Sequence, residues 1–300
     1  MSEAEYEVTI LGTGPAGLQA AIHAARSKAS VLVLGRQAKS SLYKAHVENF
    51  CCLEMIDGGT MLEAGRDQAE KFGADIMDED VLEIEKSEGG FLVRTESGRE
   101  IRTRALVLAM GVSRKKLNIP GEKELFGRGV SYCVDCDAGF YRGRRVAVVG
   151  DESAAASGAL TLLFYADEVH LVTRGLKVTD ALADQVRRSA VRVHEGRWAK
   201  EIAGGDGVEA LVLDDGASLA VEGVFIELGA KGAIELAARL GVALDSESFQ
   251  FVVADKKQQT NVPGLYAAGD ICGPPWQVAK AVGEGCVSGL EAAAYAKKLR

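Results

Sequence analysis

Cysteine is scarce: six residues in a chain of 300 are too few for a disulfide scaffold. The opening segment, Met1-Ser2-Glu3-Ala4-Glu5, lacks the basic residues of a secretory signal, and the apolar run behind it is cut short by Gly12, Gly14 and Pro15. Export and membrane spanning are therefore not expected. The reading is a cytoplasmic chain in a reducing compartment, where a disulfide is catalytic rather than structural. Positive charge is also short, since 35 Lys and Arg against 43 Asp and Glu leave a net −8. A field of that sign repels phosphate backbones and anionic lipid heads, so neither nucleic acid nor a membrane is an expected partner. No fixed-period repeat or low-complexity stretch stands out.

Apolar residues and glycine are plentiful. Hydrophobic residues make up 47% of the chain, which excludes disorder for its bulk, and the length suggests about two domains at roughly 150 residues each. Thirty-five glycines, five prolines and aliphatic runs followed by Ala-rich stretches fit strands alternating with helices on mainly parallel sheets. Two units open alike: Glu7-Val8-Thr9-Ile10-Leu11 runs into Gly12, and Arg145-Val146-Ala147-Val148-Val149 runs into Gly150. A strand stopping at Gly111, with polar Ser113 to Lys116 as a link, closes the first half, and Gly223 to Gly229 mirrors it. The fold class expected is α/β, with two Rossmann-like three-layer nucleotide-binding domains, the second inserted into the first. Residues 1–113 and 241–300 form the outer domain, and 114–240 the insertion.

Gly12-Thr13-Gly14-Pro15-Ala16-Gly17 lies between an apolar strand and an Ala-rich helix, the context that gives G-x-G-x-x-G its meaning. Gly12 permits the tight turn, Gly14 lets the backbone approach a pyrophosphate, and Gly17 lets helix and strand pack closely. A dinucleotide is favoured over a bare glycine turn. The second strand ends Leu34-Gly35-Arg36, with no carboxylate for a ribose hydroxyl. Cys133-Val134-Asp135-Cys136 is a C-x-x-C whose thiols can close a readily opened disulfide ring. Zinc is disfavoured, because no second C-x-x-C or H-x-x-x-H completes a site. Asp137 is either a proton shuttle to a leaving thiolate or a solvated loop carboxylate. Cys51, Cys52, Cys272 and Cys286 read as small buried thiols without chemistry, although the first two are adjacent and could form a second redox centre.

Together these motifs resemble the low-molecular-weight, bacterial-type thioredoxin reductases over almost the whole chain. The matching segments are Gly12 to Gly17, Val47-Glu48-Asn49-Phe50, Cys133 to Asp137, and Thr260-Asn261-Val262-Pro263-Gly264-Leu265-Tyr266-Ala267-Ala268-Gly269-Asp270. The resemblance implies an FAD-dependent disulfide reductase, homodimeric, acting on thioredoxin. It implies an FAD site built from Gly12, Gly14, Pro15, Ala16, Gly17, Asn49, Gly111 and Gly269, with Asp270 at the ribitol and the helix start at Gln277 and Val278 aimed at the flavin pyrimidine. Such a helix start suits the negative charge of a reduced flavin. By the same resemblance Cys136 contacts the flavin, Cys133 attacks the substrate disulfide, and Asp137 is the general acid.

The sequence departs from that family at the NADPH contacts of the inserted domain. The second loop reads Gly150-Asp151-Glu152-Ser153-Ala154-Ala155, so Glu152 replaces a glycine that lets the pyrophosphate approach. The segment Thr173-Arg174-Gly175-Leu176-Lys177-Val178-Thr179 keeps only Arg174 of the three arginines expected for the 2′-phosphate. These changes argue against NADPH and resemble the branch that includes ferredoxin-dependent flavin thioredoxin reductases. Reduction by ferredoxin or another dithiol is the expectation. Tyr43 and Trp276 could shield the flavin, with core packing the preferred reading for both.

Overall fold

The computed structural model describes residues 4–111, 116–229, 232–246 and 249–299, with the side chains of Ala233, Ala238 and Cys136 outside the description. The chain divides into two compact units, one of Met1–Thr95, Arg99–Val112 and Gly232–Arg300, the other of Glu96–Gly98 and Ser113–Lys231. The chain leaves the first unit and later returns to it. Most of the polar link expected at Ser113 to Lys116 lies outside the described residues.

The first unit opens with β1 (Ala4–Leu11), α1 (Pro15–Arg26), β2 (Val31–Leu34), the short pair β3 (His46–Val47) and β4 (Ile56–Asp57), and α2 (Gly58–Lys71). It continues through β5 (Ala74–Met77), β6 (Val81–Ser87), β7 (Gly90–Thr95) and β8 (Glu100–Leu108). The second unit carries β9 (Val130–Ser131), α3 (Val134–Asp137), β10 (Arg145–Val149), α4 (Ser153–Leu162), β11 (Glu168–Thr173), α5 (Asp180–Arg188) and β12 (Arg192–Glu195). Four more strands complete it: β13 (Ala199–Ala203), β14 (Ala210–Leu213), β15 (Ser218–Ala220) and β16 (Gly223–Ile226). The returning chain forms α6 (Ala233–Ala238), β17 (Leu265–Ala267) and α7 (Val278–Lys298).

In the first unit the order is β5-β2-β1-β8-β7-β6, with β17 also on β8. The two halves of β8 have different partners: Glu100 to Thr103 pair antiparallel with β7, and Leu106 to Leu108 pair parallel with β17. β1, β2 and β5 are parallel, and apart from Glu7 and Thr9 of β1 their buried residues are apolar, as suits strands covered on both faces. β6, β7 and β8 instead form an antiparallel meander, its first hairpin turned at Glu88 and Gly89, in which β7 alternates buried Phe91 and Val93 with outward residues. The sheet is therefore mainly parallel, as expected, with an antiparallel edge added by β7 and β6. The second unit holds a five-stranded parallel sheet, β12-β11-β10-β16-β9, and an antiparallel one, β13-β14-β15. Its core gathers Val130, Ala147, Val149, Val172, Val224 and Ile226.

α1 and α7 cross at backbone contact because the crossing is made of glycine. A β-carbon on Gly285 would sit 2.2 Å from the Ala16 carbonyl oxygen, and one on Gly289 2.2 Å from that of Ala20. Ala20, Ala21, Ala24, Ala292, Ala293 and Ala296 fill the rest of the crossing with small side chains, each almost wholly buried. This crossing places the starts of both helices at one end of the unit's sheet. Among the described residues no helix is long and apolar enough to cross a membrane.

Candidate functional site

The first glycine loop follows β1 directly. Gly12 donates its N–H to the Leu34 carbonyl at 2.8 Å and turns with φ +119, and a β-carbon there would lie 2.3 Å from the Ala109 oxygen. Gly17 presses its backbone on the loop, since a β-carbon would come within 1.8 Å of the Gly12 oxygen. Gly14 differs: it is the N-cap of α1, adopts φ −80, and a β-carbon would meet only Ser40 Oγ, at 3.4 Å. Leu18 N–H is the first amide to bond back, to the Gly14 oxygen at 3.0 Å. Pro15 has no N–H, so the first-turn amides of Ala16 and Gly17 have no intrahelical acceptor and point out of the helix end. Gly111, with φ +70, has open space where its β-carbon would be.

Gly269 and Asp270 follow β17 and join this end. Gly269 turns at φ +85, and a β-carbon on it would lie 3.0 Å from that of Ala16, so Asp270 is delivered beside the α1 start. Gly269 N–H donates to Glu284 Oε2 at 2.8 Å, while Lys280 Nζ donates to the Gly269 oxygen at 2.9 Å and pairs with Glu284 at 3.1 Å. Burial raises the Asp270 carboxyl above its ordinary value, Lys280 opposes that, and Glu284 adds to it. Gln277 is the N-cap of α7 without a side-chain cap bond, because its Oε1 instead accepts from Asn49 Nδ2 at 2.8 Å. Two residues 228 positions apart, both singled out in the sequence, thus meet at the start of α7. The ribose position missing its carboxylate holds Arg36, which pairs with buried Asp80 at 2.7 Å, joined by Lys39 at 2.9 Å.

In the second unit Cys133 is buried and disulfide-bonded. Its N–H donates to Ser131 Oγ at 3.0 Å, and that hydroxyl donates to Asp137 Oδ2 at 2.6 Å. Asp137 is half-buried and held by a hydroxyl rather than solvated as a free loop carboxylate. The Val134 N–H, at the start of α3, donates to Glu227 Oε1 at 3.0 Å. Glu227 is 5% exposed and was not singled out by any motif. The second glycine loop puts Glu152 at the N-cap of α4, with no side-chain cap bond. Asp151 Oδ1 accepts from Thr173 Oγ1 at 3.0 Å and from the Arg174 N–H at 2.9 Å. The Arg174 guanidinium lies 3.8 Å from the centre of the Trp198 ring, a close cation–π stack.

Residues 6–285 match the model of the pyridine nucleotide-disulphide oxidoreductases. The chain belongs to that family. It is 32% identical over 314 residues to a thioredoxin reductase of Listeria monocytogenes, covering 98% of this chain and 95% of the relative. Among solved structures it resembles an atypical thioredoxin reductase from Desulfovibrio vulgaris Hildenborough, 36% identical with TM-score 0.84, covering 97% and 98% of the two chains. It also resembles a ferredoxin-flavin thioredoxin reductase from Clostridium acetobutylicum, 31% identical with TM-score 0.68, covering 98% of each. This member of the pyridine nucleotide-disulphide oxidoreductases is thus a flavin-dependent disulfide oxidoreductase of the thioredoxin reductase type, and FAD is the cofactor its family implies.

The first unit of this pyridine nucleotide-disulphide oxidoreductase fits such a group. The first-turn amides of α1 have no intrahelical acceptor, the side-chain position at Gly14 is empty up to Ser40 Oγ at 3.4 Å, and a second helix start, free of a side-chain cap, lies on the same end of the sheet. Two expectations need correction. Cys51 and Cys52 are exposed rather than buried, because they occupy the tip of a turn closed by the Leu53 N–H on the Phe50 oxygen at 3.1 Å. Trp276 is 61% exposed, having been carried out of the core by the Pro274-Pro275 turn, whereas Tyr43 does pack with Leu18, Leu42 and Leu62. Cys272 and Cys286 are partly buried. Burial and neighbouring Glu284 push the Cys272 thiol up to about 12, so it has no thiolate to offer near neutral pH. Among the described residues no three His, Cys, Asp or Glu side chains gather as metal ligands.

Proposed function

We propose that this protein reduces a thioredoxin-like disulfide through Cys133 and Cys136, with electrons delivered to its flavin by ferredoxin or another dithiol rather than by NADPH. Residues 1–113 and 241–300 bind FAD, residues 114–240 carry the redox pair, and the working form is a cytoplasmic homodimer. Bound FAD supplies two-electron reduction of the Cys133/Cys136 disulfide. The amides of Ala16 and Gly17, above Gly14, hold its pyrophosphate; Asp270 holds the ribitol; and the start of α7 at Gln277 and Val278, steadied by Asn49, stabilises negative charge on the pyrimidine.

The reduced pair then works by exchange. The Cys133 thiolate attacks one sulfur of the substrate disulfide, and the other leaves as a thiolate that takes a proton from Asp137. Cys136 attacks the Cys133 sulfur of the mixed disulfide, releasing the second substrate thiol and restoring the internal disulfide. Two electrons pass to the substrate. Ser131 supports this order, because one hydroxyl is bonded both to the Cys133 amide and to the Asp137 carboxylate and so fixes acid and nucleophile in register.

The observation that carries the choice of donor is the start of α4. Glu152 occupies the N-cap where a pyrophosphate would bind, and a like charge at about 4 Å costs roughly 1 to 4 kcal/mol depending on the effective dielectric. Arg174, the one remaining family arginine, is stacked on Trp198 instead of standing ready for a phosphate. An ordinary NADPH-dependent thioredoxin reductase is the second reading, favoured by one feature: Gly150 keeps the close approach of a working loop, its β-carbon position 2.1 Å from the Glu227 oxygen. Anaerobic visible spectra of the purified holoprotein separate the two. Bleaching of the flavin by dithionite but not by excess NADPH is the expected result, and prompt bleaching by NADPH overturns it.

A further inference from the structure

Four cysteines stand outside the redox disulfide, and two of them are adjacent in space as well as in sequence. Cys51 Sγ and Cys52 Sγ lie 3.4 Å apart, in contact, and both side chains are exposed. They fill the two central positions of a turn running from Phe50 to Leu53, and Cys52 takes φ +69, a conformation usually left to glycine or asparagine. The neighbours Leu53 and Met55 are themselves 41% and 73% exposed, so the turn stands clear of the core. Cys272 and Cys286 share none of these features, since each is partly buried and neither touches another sulfur among the described residues.

We propose that Cys51 and Cys52 form a second dithiol/disulfide couple, separate from Cys133, which exchanges with exposed linear disulfides of small molecules or proteins. One of the two sulfurs, as thiolate, attacks the external disulfide and releases one thiol. The adjacent sulfur then attacks the mixed disulfide, releasing the second thiol and closing a Cys51–Cys52 ring. Two electrons leave the pair, two protons leave with them, and the external disulfide becomes two thiols. The second step needs a sulfur movement of little more than an ångström, from 3.4 Å to a bond length of about 2 Å, and both side chains are free to rotate in solvent. Consecutive Cα atoms are about 3.8 Å apart across a trans peptide, closer than ordinary disulfides allow, so the ring is strained and readily reopened by thiols. A couple of that kind responds to the surrounding thiol–disulfide balance instead of bracing the fold.

The test uses the holoenzyme with Cys133 disulfide-bonded and Cys51 and Cys52 as free thiols, and dithiobis(nitrobenzoate) as the external disulfide, with peptide mass spectrometry of the segment holding both cysteines. The wild-type pair is expected to release two thionitrobenzoates and retain none, leaving a peptide two hydrogens lighter that returns to its starting mass with dithiothreitol. Cys51→Ser and Cys52→Ser should each release half as much from this segment and keep one thionitrobenzoate attached. A wild-type peptide that keeps one or two attached groups, or does not react, overturns the proposal. Flavin absorbance recorded on the same samples shows whether either variant has lost its fold.

Discussion

Gly14 and Gly17 share a motif but answer to different constraints. A β-carbon on Gly17 would collide with the Gly12 carbonyl, 1.8 Å from its oxygen and 2.9 Å from its carbon, so Gly17→Ala is expected to destabilise even the flavin-free protein by about 3 kcal/mol or more. Gly14 has φ −80 and meets only Ser40 Oγ at 3.4 Å, so Gly14→Ala should leave the apoprotein within about 0.5 kcal/mol of wild type. The same methyl group stands in the space assigned to the pyrophosphate, and FAD affinity should fall at least tenfold, about 1.4 kcal/mol. Urea unfolding of both apoproteins and fluorescence titration with FAD check the pair. Equal losses of stability would refute the division of labour. The glycine spacing was legible in the sequence, whereas the distinction between packing glycine and ligand glycine was not, because it depends on what stands opposite each missing β-carbon. Exposure of Cys51 and Cys52 was hidden for a related reason: small apolar-like residues read as core unless a turn carries them outward.

At the level of elements, the short helix α3 depends on a residue that no motif revealed. The Val134 N–H, next to Cys133, is buried and accepted by Glu227 at the end of β16, 93 residues along the chain. Glu227→Ala should leave that amide without its acceptor, at a cost of about 1 to 3 kcal/mol, and loosen the segment that presents Cys133. Glu227→Gln keeps an oxygen in place and should lose less than half of that. Equilibrium unfolding of the two variants, with the rate at which a phosphine reduces the Cys133 disulfide as a second readout, tests the assignment. The only sequence signal was a carboxylate within an otherwise apolar strand, Val224-Phe225-Ile226-Glu227-Leu228, and a single sequence does not say which buried amide it serves. The parallel strands were legible because aliphatic runs stopping at glycine specify them. The β6-β7-β8 meander was not, since its two-residue period is interrupted by a register shift between Val81 and Glu83 and by charged residues that pair with Arg94.

Across the whole molecule, the two units offer two separate handles on stability. FAD is assigned to groups of the first unit alone, and a ligand at one hundred times its dissociation constant stabilises the state it binds by about 2.7 kcal/mol. The second unit carries a pH-sensitive pair on neighbouring strands. His170 Nδ1 and His194 Nε2 are 2.8 Å apart, and His170 Nε2 meets Glu168 at 2.7 Å. Burial holds both imidazoles below their ordinary 6.5; the facing His194 adds to this for His170 and Arg192 for His194, while Glu168 and Asp215 pull the other way. Below pH 6.5 the unfolded chain binds protons that the folded unit resists, so the stability present at pH 7 falls as the pH drops toward the lowered values. The limit is about 1.4 kcal/mol per pH unit for each group, and stability should fall between pH 7 and pH 5. Calorimetry at several FAD concentrations and pH values should then resolve two transitions, one raised by FAD and one lowered by acid, with His170→Gln flattening only the second. A single transition moved equally by both would mean that the units unfold as one cooperative block, and the pH effect of the histidine pair would then reach the flavin-binding unit as well.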